Sequence, residues 1–130
     1  MGVYVFRILG TNWIKVGHHK VTPSRPNVYY RVAGRGFHSL VHPPELEGRL
    51  GIQHMELLAW FPTLGRRQET KAHKACKTHY GEFHDISDLE TVLKSCESNG
   101  GAQSYPSPED KELALAWVGT RGRANTSHVT

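Results

Sequence analysis

The chain has 130 residues, a formal charge of +4, nine further histidines and a hydrophobic share of 38%, which leaves room for one domain and is too short for two independent cores. No apolar run approaches the roughly eighteen residues that a membrane-spanning helix needs, and two separated cysteines, Cys76 and Cys96, do not make a disulfide scaffold, so a reducing, intracellular setting is expected. The opening MGVYVFRIL lacks a basic start, a long apolar stretch and a cleavage site; a secretory signal is not expected, nor is lipidation of Gly2, because an apolar strand follows it. Basic residues fall in clumps, at His18-His19-Lys20, Arg31 with Arg35, Arg66-Arg67, Lys71 to Lys77 and Arg121 with Arg123, a pattern that permits a polyanionic partner without requiring one.

Residues 3–8 and 13–16 are β-rich and flank the turn-forming Leu9-Gly10-Thr11-Asn12, so the chain is expected to begin with a hairpin. Residues 18–27 form a polar connection with two prolines, and 28–33 read as a short helix ended by Gly34 and Gly36. Residues 39–53 carry Pro43-Pro44 and a helical turn near 45–50; HMELLAWF, residues 54–61, reads as a third strand stopped by Pro62. Thr63 is the expected cap of a helix over 64–79 that Gly81 ends. After GEFHD, Ser87 is expected to cap a helix over 88–98, and Asn99-Gly100-Gly101 marks a domain edge. Residues 109–118 read as one more helix, in which Leu113 and Trp117 are expected to pack back on the domain; TRGRANTSHVT lacks the apolar content to fold. The expected architecture is α/β, a small three-stranded antiparallel sheet flanked by helices in the order β-β-α-β-α-α. A domain over 1–98 is followed by an extension over 99–130.

The second strand carries Lys15 where an apolar residue would pack better. GVY at 2–4 and KVG at 15–17, ten residues apart, precede an arginine-bearing helix, a third strand and a helix with a glutamate. This ordered set, over residues 2–95, resembles the GIY-YIG nuclease superfamily, in a divergent phage or viral-type branch with lysine in place of the second motif tyrosine. On this resemblance Tyr4 stands for the first motif tyrosine, Lys15 for the second, Gly17 for the second motif glycine and Glu69 for the helical metal-binding glutamate. Arg31 is taken for the family arginine, with Arg35 as the alternative; His38, Tyr30 or His42 is the auxiliary residue, with His38 carried forward. The segment Gly81-Glu82-Phe83 resembles the branch's Glu-Trp-Phe, read as packing.

The resemblance implies a metal-dependent DNA endonuclease, of the free-standing homing type as the narrower reading. Glu69 would hold Mg²⁺ or Mn²⁺, Arg31 would grip the phosphate with its planar fork, and Tyr4 would relay the attacking water's proton. Lys15 would lower the pKa of Tyr4 or touch phosphate itself. Gly17, His18, His19, Lys20, Tyr30 and Arg35 are the expected nucleic-acid contacts. DNA is the expected partner, with no membrane; specificity would come from a homodimer or a further partner. Two other readings are weighed beside it: a non-catalytic nucleic-acid-binding module that kept the fold, and a protein-interaction adaptor. Seen singly, Tyr4 is a packing residue and Glu69 a surface partner of Arg66 and His73. A zinc site drawn from His73, Cys76 and His79, completed by Cys96, His18 or His19, is disfavoured because the three helical positions drift around the helix.

Overall fold

The computed structural model describes residues 2–20, 28–34, 36–101 and 111–116, with the side chains of 28, 30 and 31 left aside. Four strands, β1 (Gly2–Ile8), β2 (Trp13–His19), β3 (Met55–Phe61) and β4 (Phe83–Asp85), form one antiparallel sheet in the order β3-β1-β2-β4. The sheet is joined by α1 (Val28–Ala33), α2 (Arg66–Ala75) and α3 (Leu89–Ser98). The expected three strands are thus four. β4 is three residues of GEFHD paired to Trp13, Ile14 and Lys15, too short to leave a period in the sequence.

β1 is central and buried on both faces, which is why GVYVFRI reads as a nearly unbroken apolar run. Tyr4, Phe6 and Ile8 enter one core, and Val3 and Val5 the other. The hairpin turns at Gly10, whose φ of +76° suits a residue without a Cβ. β3 carries a bulge: Val5 faces Ala59 but Phe6 faces Leu57, so Leu58 is the extra residue. The bulge lets Met55, Leu57 and Trp60 share the first core while Ala59 and Phe61 serve the second. The backbone N–H of Leu57 donates to the Tyr29 hydroxyl at 2.8 Å, which ties α1 to this edge strand.

The first core is closed by α1, by Phe37 and by the connection carrying Leu46, Leu50 and Ile52. Residues 111–116 are helical, and Ala114 is buried in the same core while Leu113 is exposed; the expected packing of Leu113 is corrected, and Trp117 lies outside the described residues. The second core lies under α2 and α3, from which Ala72, Val92 and Cys96 reach inward. Cys76 and Cys96 are free thiols buried there, and burial pushes both up to about 11.

Two helix limits differ from expectation, both through capping. α2 begins at Arg66 and not at Leu64: Gly65 is extended, and its N–H donates to the Gln68 side chain at 2.9 Å, so Thr63 is not the cap. It ends at Ala75 because Asp88 captures the chain beyond it. The Asp88 carboxylate accepts from the N–H groups of Lys77 and Thr78, each at 3.0 Å, and from the Thr78 hydroxyl at 2.5 Å. Asp88 also stands at the N-cap of α3, and Asp85 accepts from the N–H of Ser87 at 2.9 Å, so Ser87 is the capped residue and not the cap. Replacing Asp88 by alanine strands three donors, two of them backbone groups with no alternative helix partner. D88A is expected to lower unfolding free energy by about 2 kcal/mol, read as a shift of the urea midpoint at unchanged slope.

Candidate functional site

Pairing in the hairpin sets Tyr4 opposite Gly17 and Phe6 opposite Lys15, all on the face of the first core. A Cβ on Gly17 would overlap the Tyr4 hydroxyl and stand 2.6 Å from the Lys15 Nζ. The glycine is therefore what lets the phenol lie across β2 and meet the lysine. Lys15 is 1% exposed. Its Nζ donates to the Tyr4 hydroxyl at 2.9 Å, lies 3.3 Å from Glu82 Oε2, and sits 4.7 and 4.8 Å from the ring centroids of Tyr4 and Phe37.

Burial pushes the Lys15 amine below the ordinary lysine range, against the pull of Glu82 and Glu69. Burial pushes the Tyr4 phenol up, and the negative charges of Glu82 and Glu69 push it further. The expected lowering of the Tyr4 pKa by Lys15 is thus reversed: desolvation and two carboxylates outweigh one amine.

Behind the sheet, α2 turns Glu69 inward, 6% exposed, and not outward to a surface pair. Oε1 of Glu69 lies 2.6 Å from His18 Nδ1, and Oε2 lies 3.1 Å from His73 Nε2. Burial alone would raise this carboxyl, but the hydrogen bonds and charge of His73 and His18 outweigh it and bring it down to about 2. The histidine pair continues inward: His73 Nδ1 is 2.6 Å from His84 Nε2, and His84 Nδ1 is 2.5 Å from the Thr78 carbonyl. His84 is fully buried, and that burial lowers its pKa, partly offset by the Thr78 carbonyl.

Glu82 joins the two halves. The N–H of Val16 donates to its carbonyl at 3.1 Å where β2 outruns β4, and its side chain reaches Lys15 on one side and the Glu69–His73 pair on the other. The GEF segment therefore divides: Phe83 packs, fully buried, while Glu82 belongs to the polar cluster.

Of the residues singled out from sequence, Tyr4, Lys15, Gly17, His18 and Glu69 come together. His38 is exposed on the turn after Phe37, and it is Phe37 that stacks on Tyr4, at 6.1 Å and 12°. His42 is held by the Leu40 carbonyl and Glu47, each at 2.7 Å. His19 ends β2, and Lys20 follows it, exposed. The side chains of Tyr30 and Arg31, and the whole of Arg35, lie outside the described residues. Sequence reasoning missed His73, Glu82 and His84 as members of the cluster. The i, i+4 spacing of Glu69 and His73 was the one local signal; nothing local joins His18 to a residue 51 positions away.

Among the described residues two groups have metal-ligand geometry, Glu69 with His73 and Glu82, and Cys76 with His84 and Asp88, the ligand atoms of each lying within 4.8 Å of one another. The second is already engaged: Asp88 is the cap described above, and Cys76 Sγ donates to the Ala72 carbonyl at 3.3 Å. His79 is off the helix with its Nε2 2.9 Å from the Cys76 carbonyl, which removes the helical triad weighed for zinc. The chain matches no protein-family model, no curated protein and no solved structure in comparison. No helix among the described residues is long and apolar enough to cross a membrane.

G17A is expected to lower stability by about 1–3 kcal/mol through overpacking and to displace the Tyr4 ring, read by thermal unfolding and by near-ultraviolet circular dichroism. A depressed carboxyl stabilises the fold above its unfolded pKa, and that contribution is lost as pH falls toward the folded one. The stability gap between wild type and E69Q should therefore narrow as pH falls from about 4.5 to about 2, measured by denaturant titration at each pH.

Proposed function

We propose that the chain is a metal-dependent DNA endonuclease with a GIY-YIG-like catalytic centre. The observation that carries this reading is the junction of a buried, ionised Glu69 with a buried Tyr4–Lys15 pair through Glu82. A domain gains little stability from gathering a lysine, two carboxylates and three histidines, His18, His73 and His84, at one edge of its sheet; hydrolysis of a charged ester needs such a set. The order of elements also agrees with the resemblance, with β4 added at one edge.

Glu69 and Glu82 offer carboxylate oxygens that suit a hard divalent cation, so the residues fit Mg²⁺ or Mn²⁺. When bound, such an ion supplies Lewis-acid stabilisation to a phosphate oxygen. The chain's own part is proton transfer and charge. In this reading Tyr4 and Lys15 act as a unit with the Lys15 amine neutral: its lone pair turns to the Tyr4 hydroxyl, reversing the bond in which Nζ donates at 2.9 Å, and the phenol passes its proton to the amine while taking one from water. Arg31, with Arg35 as the alternative, is the phosphate-binding guanidinium in this reading. α2, which buries Glu69, exposes Arg66, Arg67, Lys71 and Lys74, a cationic surface beside the carboxylate that favours a polyanion. An intracellular setting belongs to the same reading, as does specificity drawn from a homodimer or further partner.

The test is conversion of supercoiled plasmid to nicked and linear forms with Mg²⁺ or Mn²⁺. Cleavage should vanish with EDTA, and E69Q and Y4F should each slow it by about 100-fold or more. Equal inertness of wild type and E69Q, with salt-sensitive binding retained by both, would make the chain a nucleic-acid-binding module.

A further inference from the structure

The hydrogen-bond chain through the histidines fixes where each proton sits. A carbonyl oxygen only accepts, so His84 Nδ1, 2.5 Å from the Thr78 carbonyl, carries a hydrogen. Neutral, buried His84 then has its lone pair on Nε2, and that lone pair faces His73 Nδ1 at 2.6 Å. His73 Nδ1 must donate. What remains on His73 is Nε2, aimed at Glu69 Oε2 across 3.1 Å. In a neutral ring this nitrogen bears a lone pair directed at a carboxylate oxygen, and the contact is repulsive unless something positive stands between them. A proton satisfies it; so does a metal ion. Glu82 closes the same space, with its carboxylate within 4.8 Å of the other two ligand atoms.

We propose that Glu69, His73 and Glu82 form a mixed nitrogen–oxygen site for a divalent transition-metal ion, with Mn²⁺ the best fit, His73 ligating through Nε2. The proposal rests on the reading of Glu69 as a metal-binding residue and adds its partners and metal class. Two carboxylates suit Mg²⁺ and Mn²⁺ alike, whereas imidazole nitrogen suits transition metals and is a poor ligand for Mg²⁺. The arrangement also has the outer support that metal-binding histidines use. The far nitrogen of His73 donates to His84, and the Thr78 carbonyl fixes His84 in turn, which holds the His73 ring in the Nδ1–H tautomer with the Nε2 lone pair turned to the Glu69 side.

The experiment has two readouts on the full chain, neither of which is DNA cleavage. Loss of the free Mn²⁺ signal in electron paramagnetic resonance, with Mg²⁺ as competitor, gives relative affinities. Wild type is expected to prefer Mn²⁺ by at least about tenfold, and H73Q and E82Q to lose about ten- to a hundredfold in Mn²⁺ affinity. In H73Q, Mg²⁺ affinity should change by less than about threefold. Long-range proton–nitrogen spectra of wild type with Zn²⁺ as a diamagnetic probe should move His73 Nε2 to a metal-ligated shift, a readout independent of whether any variant folds. Metal binding with an unmoved His73 resonance, or an H73Q variant that keeps the wild-type Mn²⁺ preference, overturns the proposal. If E69Q still abolishes metal-dependent nicking in that case, the endonuclease reading stands and only the nitrogen ligand falls. A ligated His73 in a chain that cuts no DNA upholds the site and removes the nuclease.

Discussion

A lysine amine buried to 1% exposure in a domain this small is the constraint on which the other contacts of the site depend. A buried amine has to be given acceptors or lose its charge, and Lys15 is treated both ways: Tyr4 and Glu82 stand at 2.9 and 3.3 Å, and two aromatic faces cover it. Each partner imposes a condition on a different part of the chain. Tyr4 can reach across β2 only over a glycine, so Gly17 follows from Lys15. Glu82 can reach it only if the chain returns to the free edge of β2, which β4 and the Val16–Glu82 backbone bond achieve. Phe37 must leave α1 at the right place to cap the amine, and Gly36, with φ of +72°, makes that turn.

The parts of the fold written in local pattern were legible. β1 and β3 were found close to their limits because apolar runs and turn residues bound them, and α1 agrees with its expected span; β2 was found but runs to His19 and not to Val16, taking two residues of the expected polar connection. What escaped is what depends on distant partners. β4 exists because β2 offers an edge, not because three residues of FHD favour a strand. The start and stop of α2 depend on Gln68 turning back to Gly65 and on Asp88 reaching across to residues 77 and 78. A bulge at Leu58 explains why HMELLAWF, though a strand, does not alternate. Propensity rules place a cap at Thr63 or Ser87 because those side chains can cap, but the bonds that win, Gly65 N–H to Gln68 and Ser87 N–H to Asp85, are equally local and shift the helix starts by a residue or two.

The site was legible in its residue types more than in its electrostatics. Tyr4, Lys15, Gly17 and Glu69 could be named because each sits at a fixed place in an ordered motif set, and these four do assemble. The sign of the Tyr4 shift was not legible, because it turns on burial and on Glu82, a residue read as packing. The histidines illustrate the same limit. His18 looked like part of a basic surface clump and faces Glu69 instead, since alternation along β2 turns it away from Lys15 and toward α2.

Thr78 joins the end of α2 to the site. Asp88 holds the backbone at Lys77 and Thr78; Thr78 presents its carbonyl to His84; His84 sets the hydrogen on His73; and His73 faces Glu69. The links from Asp88 to His73 are each a donor meeting an acceptor at 2.5 to 3.0 Å, so each has one satisfied arrangement and resists the alternatives; the last sets the His73 Nε2 lone pair 3.1 Å from Glu69 Oε2. The second apparent metal group, Cys76 with His84 and Asp88, is then the support of the first. Its atoms lie close together because they terminate α2 and begin α3, and the polar chain they start ends on the one carboxylate that the sequence motif singled out.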